Sequence, residues 1–60
     1  MSLYESLEIV IDAANDALKN GTMTQAEHDA KMRSTLTKMN LFLKKKMITQ
    51  DQYDTLKAKM

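Results

Sequence analysis

The stretch Met47-Ile48-Thr49-Gln50-Asp51-Gln52-Tyr53 is the second of two related segments; twenty-five residues upstream stands Thr22-Met23-Thr24-Gln25-Ala26-Glu27-His28. Each copy holds an apolar residue, a threonine, two intervening residues, a Glu or Gln, and then a ring. That is the order a helix start requires. The threonine oxygen can accept from an orphan amide of the first turn, and the Glu or Gln can reach back to the threonine amide. The apolar residue before the cap (Met23, Ile48) can pack against the ring in the second turn (His28, Tyr53). Ser2-Leu3-Tyr4-Glu5 is a third box of the same kind. Three helix starts in one short chain predict an all-α protein: a helical hairpin plus a short third helix, in a single domain.

Working outward, the first helix is expected from about residue 3 to 19. Leu3, Leu7, Val10, Ile11, Ala14, Ala17 and Leu18 form one stripe at three-four spacing, and Glu5, Glu8, Asp12 and Asp16 gather on the other side. Asn20-Gly21 is a strong stop, because glycine takes the left-handed conformation just past a helix. Ile9 lies nearly opposite Leu7 and Leu18, and points away from the stripe. The second helix is expected over about 25–45. His28, Met32, Leu36, Met39, Leu43 and Met47 share a face flanked by Thr35 and Phe42, and Leu41 lies on the far side. Lys44-Lys45-Lys46 closes it, where cations suit the helix dipole. No glycine stands there, so a lysine must take an unfavourable backbone conformation unless the helix runs through; the Thr49 cap predicts a break. The third helix, about 50–60, carries Tyr53, Leu56 and Met60 on one face. It is too short to be stable unless docked on the other two.

The chain has 60 residues, no cysteine, no proline and one glycine. Disulfides and thiolate metal sites are excluded. At this length burial and ordering entropy nearly cancel, so self-association or a partner is expected. Net charge is +1, but it is unevenly spread. Residues 1–30 carry one lysine against six acids, a net of −5; residues 31–60 carry eight bases against two acids, a net of +6. Such halves can attract within a chain or head-to-tail between chains. With no apolar run of membrane-spanning length and no leader pattern, a soluble cytoplasmic protein with no membrane partner is expected.

The repeated unit resembles the SHOCT family, the short C-terminal domains of bacterial and phage proteins. Their pattern runs Leu-hydrophobic-Lys-Gly-x-Ile-Thr-x-x-Glu-Tyr/Phe. Residues 18–28 (Leu-Lys-Asn-Gly-Thr-Met-Thr-Gln-Ala-Glu-His) match one copy and residues 43–53 (Leu-Lys-Lys-Lys-Met-Ile-Thr-Gln-Asp-Gln-Tyr) the other. Lys46 and Gln52 depart from the pattern in the second copy, and His28 in the first. The resemblance implies an oligomerisation or interaction piece without catalytic residues. In a phage setting it implies a modulator or inhibitor of a host protein.

Chemistry is sparse. His28 is the only histidine, and its neighbours Glu27 and Asp29 diverge by about 100° per residue around a helix, so the three cannot converge on one ion. There is no phosphate-binding glycine loop and no nucleophile-base spacing. No catalysis, metal or cofactor is expected. Met23, Met32, Met39, Met47 and Met60 are expected on inner faces, where methionine fills irregular gaps. Ile9, Leu41, Phe42, Met47 and Tyr53 are the candidate partner-binding residues, because so small a layer cannot cover every apolar side chain. The expected function is protein–protein interaction, with another protein or a second copy. The alternative is a nucleic-acid-binding regulator using Lys38, Lys44, Lys45, Lys46 and Lys57. Against it, the third helix opens on Gln50-Asp51-Gln52 and carries Asp54, acids where a recognition helix would meet a groove.

Overall fold

The computed structural model describes residues 1–60 as three helices, α1 (Leu3–Lys19), α2 (Gln25–Lys44) and α3 (Gln50–Lys59), with no strand. Each helix contacts both others, so the predicted hairpin has its short third helix folded back across it.

All three helices begin with a reciprocal capping box. Glu5 N–H donates to Ser2 Oγ at 3.1 Å, and Ser2 N–H to Glu5 Oε1 at 3.1 Å. Thr24 and Glu27 exchange the same pair at 3.2 and 2.9 Å, and Thr49 and Gln52 at 3.1 and 2.9 Å. Two of the four otherwise orphaned donors at each start are satisfied this way.

The two helix ends are also copies of each other. Thr22 N–H donates to the Ala17 carbonyl at 2.9 Å and Gly21 N–H to Leu18 at 3.3 Å; Met47 N–H donates to Phe42 at 2.8 Å and Lys46 N–H to Leu43 at 3.0 Å. This double closure requires a left-handed residue just past the cap. Gly21 supplies it at φ 82° and Lys46 at φ 60°. The chain therefore breaks where Thr49 predicts, with Lys46 in the unfavourable conformation. α2 ends at Lys44, one residue earlier than expected, because Lys45 serves as the cap. α3 ends at Lys59, with Met60 as its cap.

The core is Leu7, Ile11 and Ala14 from α1, Met32 and Met39 from α2, Ile48 from the second turn and Leu56 from α3. Leu3, Leu36, Leu43 and Met60 pack half-buried around it. Three expectations need correction. Met47 is 54% exposed, not on an inner face, because it is the residue just past the left-handed Lys46 and is turned outward. Val10 is 36% exposed, because the buried α1 stripe is the narrower 7-11-14 spacing and leaves Val10 at its edge. Thr35 is buried in α2 rather than flanking the core, following the spacing 28-32-35-39; its hydroxyl donates to the Lys31 carbonyl at 2.8 Å, so no polar atom is stranded.

The left-handed positions yield a paired prediction. A Cβ on Gly21 would meet no atom within 4 Å, so any cost of Gly21→Ala is in the backbone. Gly21→Ala should lower stability by about 1 kcal/mol and Lys46→Gly should raise it by about 1 kcal/mol. Urea unfolding of the two variants beside the parent checks both signs; a Lys46→Gly variant less stable than the parent would contradict this account of the turn.

Candidate interaction surface

The outer faces of the helices are positioned by a polar junction on the inside. Asn15 of α1 donates from Nδ2 to the Lys59 carbonyl at the end of α3, at 2.9 Å. A carbonyl only accepts, so the amide nitrogen must face α3 and Oδ1 must face α2. There Oδ1 meets His28 Nε2 at 2.7 Å, which requires the proton on Nε2. His28 is only 6% exposed. One asparagine thus links all three helices and satisfies the only buried ring nitrogen that points inward. The other nitrogen, Nδ1, lies 3.5 Å from Asp29 Oδ1.

This junction recurs in the second turn. Tyr53 donates its hydroxyl to Asn40 Oδ1 at 2.7 Å, across the same separation of 13 residues that divides His28 from Asn15. Gln25 Nε2 donates to Asp29 Oδ1 at 2.8 Å, and Gln50 Nε2 to Asp54 Oδ1 at 2.9 Å. The repeat is therefore one of side-chain bonds as well as caps. Asn15 and Asn40 were not singled out in the sequence, although the same offset of twenty-five relates them. Asn40 is exposed and its ring partner half-buried, whereas the first junction is covered by the end of α3.

The charged halves meet at one point. Lys59 Nζ lies 3.2 Å from Glu8 Oε2 and 3.2 Å from Asp12 Oδ1, tying α3 to the acidic side of α1. These bonds to Glu8, then Asp12, hold the lysine above its usual range. Tyr4, whose hydroxyl donates to Glu8 at 3.3 Å, is also held above its ordinary range, first by desolvation and then by that carboxylate. Glu27 is held low by the Thr24 amide and hydroxyl, and Asp29 by the Gln25 amide and then His28.

The candidate partner-binding residues separate into two groups. Ile9 is 53% exposed, Leu41 47% and Met47 54%. Phe42 and Tyr53 instead sit half-buried against the core, Phe42 beside the second turn and Tyr53 tied to Asn40. Ile9, Val10, Ala13, Ala14, Met23 and Lys31 line an open groove of about 280 Å³. Lys38, Lys44, Lys45, Lys46 and Lys57 are all exposed, and none meets a carboxylate within ion-pair distance. Lys57 instead stands 5.9 Å from the centre of the Tyr53 ring. No three His, Cys, Asp or Glu side chains lie close enough together to hold a metal ion, and no helix is long and apolar enough to cross a membrane. No family model, curated protein or solved structure matches the chain.

Two measurements follow from the junctions and the charges. Asn15→Ala strands the His28 donor in the core and should cost about 1–3 kcal/mol. Asn40→Ala leaves a tyrosine hydroxyl that water reaches, and should cost under about 1 kcal/mol. Equal losses on thermal unfolding would contradict the distinction. For pH, carboxyls held low contribute stability that is present above their unfolded values of about 4 and is lost as pH falls through the folded values. Lys59 and Tyr4, held high, contribute stability that is present below about 10 and is lost as pH rises through their folded values. These four groups should therefore make stability fall on the acid side below about pH 4 and on the alkaline side above about pH 10. Glu27→Gln keeps the box in the form Gln52 already uses and should shallow the acid limb; an unchanged limb would rule out Glu27 as a contributor.

Proposed function

We propose that this chain is a small non-catalytic interaction module that docks through apolar side chains on the outer faces of α1 and α2. One observation carries the reading. Five large apolar side chains stand exposed, Met1, Ile9, Val10, Leu41 and Met47, beside a core of only seven residues. Single exposed apolar residues need no explanation, but Ile9 and Val10 share one groove with Met23, and Leu41 stands on a helix otherwise rich in lysine. The likeness to SHOCT modules rests on the capped-turn motif and supports the same class of function. In that setting the partner is a bacterial protein, and the chain modulates or inhibits it.

A second reading is favoured by the unpaired lysines. Lys38, Lys44, Lys45, Lys46 and Lys57 are free to contact phosphate, and such binding would weaken steeply with salt. Three of them, Lys44 to Lys46, are also where a helix end favours cations, which accounts for their position without a ligand.

The test is capture from nuclease-treated bacterial lysate, comparing the tagged chain with Ile9→Gln and Leu41→Gln variants. The interaction reading predicts a stoichiometric protein that survives nuclease and is lost with one of the variants. Nucleic acid in the untreated eluate, removed by salt and unaffected by either variant, would favour the second reading instead.

A further inference from the structure

The two exposed apolar patches differ in the charge that surrounds them. On α1, Ile9 has Glu5 one turn before it and Asp12 one turn after, and Asp16 follows Ala13 at the same spacing. Asp12 is engaged by Lys59, but Glu5 and Asp16 meet no cation within ion-pair distance. Lys31 is the one cation at that groove. On α2, Leu41 has Lys38 one turn before it and Lys44 and Lys45 one turn after, with Met47 exposed just beyond. None of those lysines has a carboxylate partner.

We propose that the occupant of the Ile9 groove is the Leu41 ridge of a second copy of this chain, in a head-to-tail contact. This deepens the interaction reading and rests on it. Charge decides between the possible pairings. Groove against groove would set the unpaired Glu5 and Asp16 against themselves, and ridge against ridge would do the same to Lys38, Lys44 and Lys45; both are repulsive. Groove against ridge joins apolar to apolar and sets the unpaired Glu5 and Asp16 against unpaired lysines, with Lys31 the one like charge at the contact. The two patches belong to different helices and point outward from one chain. After the first contact one copy therefore keeps a free ridge and the other a free groove. Such a heterologous contact does not stop at a dimer unless it closes into a ring. Both patches are small, so the contact belongs to the weak class of interfaces and is strongest at low salt.

The test is sedimentation of the full chain over about 0.02–1 mM, at low salt and again near 0.5 M salt. The average mass should rise with concentration past that of a dimer, and high salt should reverse it. Ile9→Gln removes the groove's apolar anchor and Leu41→Gln the ridge's. Both sites are exposed, so both variants should keep the parent's helical circular dichroism. Each should weaken association by about tenfold or more when alone. Mixed, they should form a one-to-one pair that grows no further, since one retains a ridge and the other a groove. A Leu41→Gln variant that still dimerises by itself, or a parent that stays monomeric throughout, overturns the proposal. If the parent is monomeric while lysate capture still depends on Ile9 or Leu41, self-pairing fails and the interaction reading stands. If neither occurs, both fail.

Discussion

Everything in this fold depends on reversing a helix in a few residues without losing its terminal hydrogen bonds. The chain does this twice with one device: two amides folded back onto the preceding helix, one residue in the left-handed region, and a threonine cap that opens the next helix. The device is local, so it needs no large core to impose it. That matters in a chain whose core is seven side chains, because ordering entropy at this size leaves little surplus from burial. The second reversal uses a lysine where glycine would cost less, so the closing bonds and the burial of Ile48 and Leu56 outweigh a local penalty of about 1–2 kcal/mol.

Given those reversals, the polar junctions set how the helices lie. Asn15 can satisfy His28 and the Lys59 carbonyl together only if α1, α2 and the end of α3 converge at one place. Lys59 then reaches Glu8 and Asp12, so the end of α3 is held by its backbone and its side chain at once. The second junction has the same Asn-to-ring bond but lies nearer the surface. The exposure of apolar side chains is a consequence of the same geometry. With the inner faces of α1 and α2 committed to the core, Ile9, Val10 and Leu41 remain outside, on opposite electrostatic backgrounds.

The helices were legible because their signals are local. Three capping boxes and Asn20-Gly21 placed all starts and one end; the ends of α2 and α3 each moved by a single residue, with Lys45 and Met60 serving as caps. Exposure of Ile9 and Leu41 was legible for the same reason, since each breaks a stripe. What could not be read was tertiary. The inward turn of Thr35, the outward turn of Met47 and the half-burial of Phe42 and Tyr53 depend on where neighbouring helices cross. Asn15 was hidden differently. Its one sequence signal is the offset of twenty-five that relates it to Asn40, and its role emerges only when helix packing brings His28 and Lys59 to it, residues 13 and 44 positions away.

The central claim is that the two reversals make α3 part of one cooperative unit with the hairpin, which leaves the outer faces free. Native-state hydrogen exchange read at individual amides tests it most directly. The account predicts that the Leu56 amide in α3 opens with the same free energy as those of Ile11 in α1 and Met39 in α2, and responds to denaturant in the same way. An α3 that exchanges through a separate, much cheaper opening while α1 and α2 stay protected would contradict it.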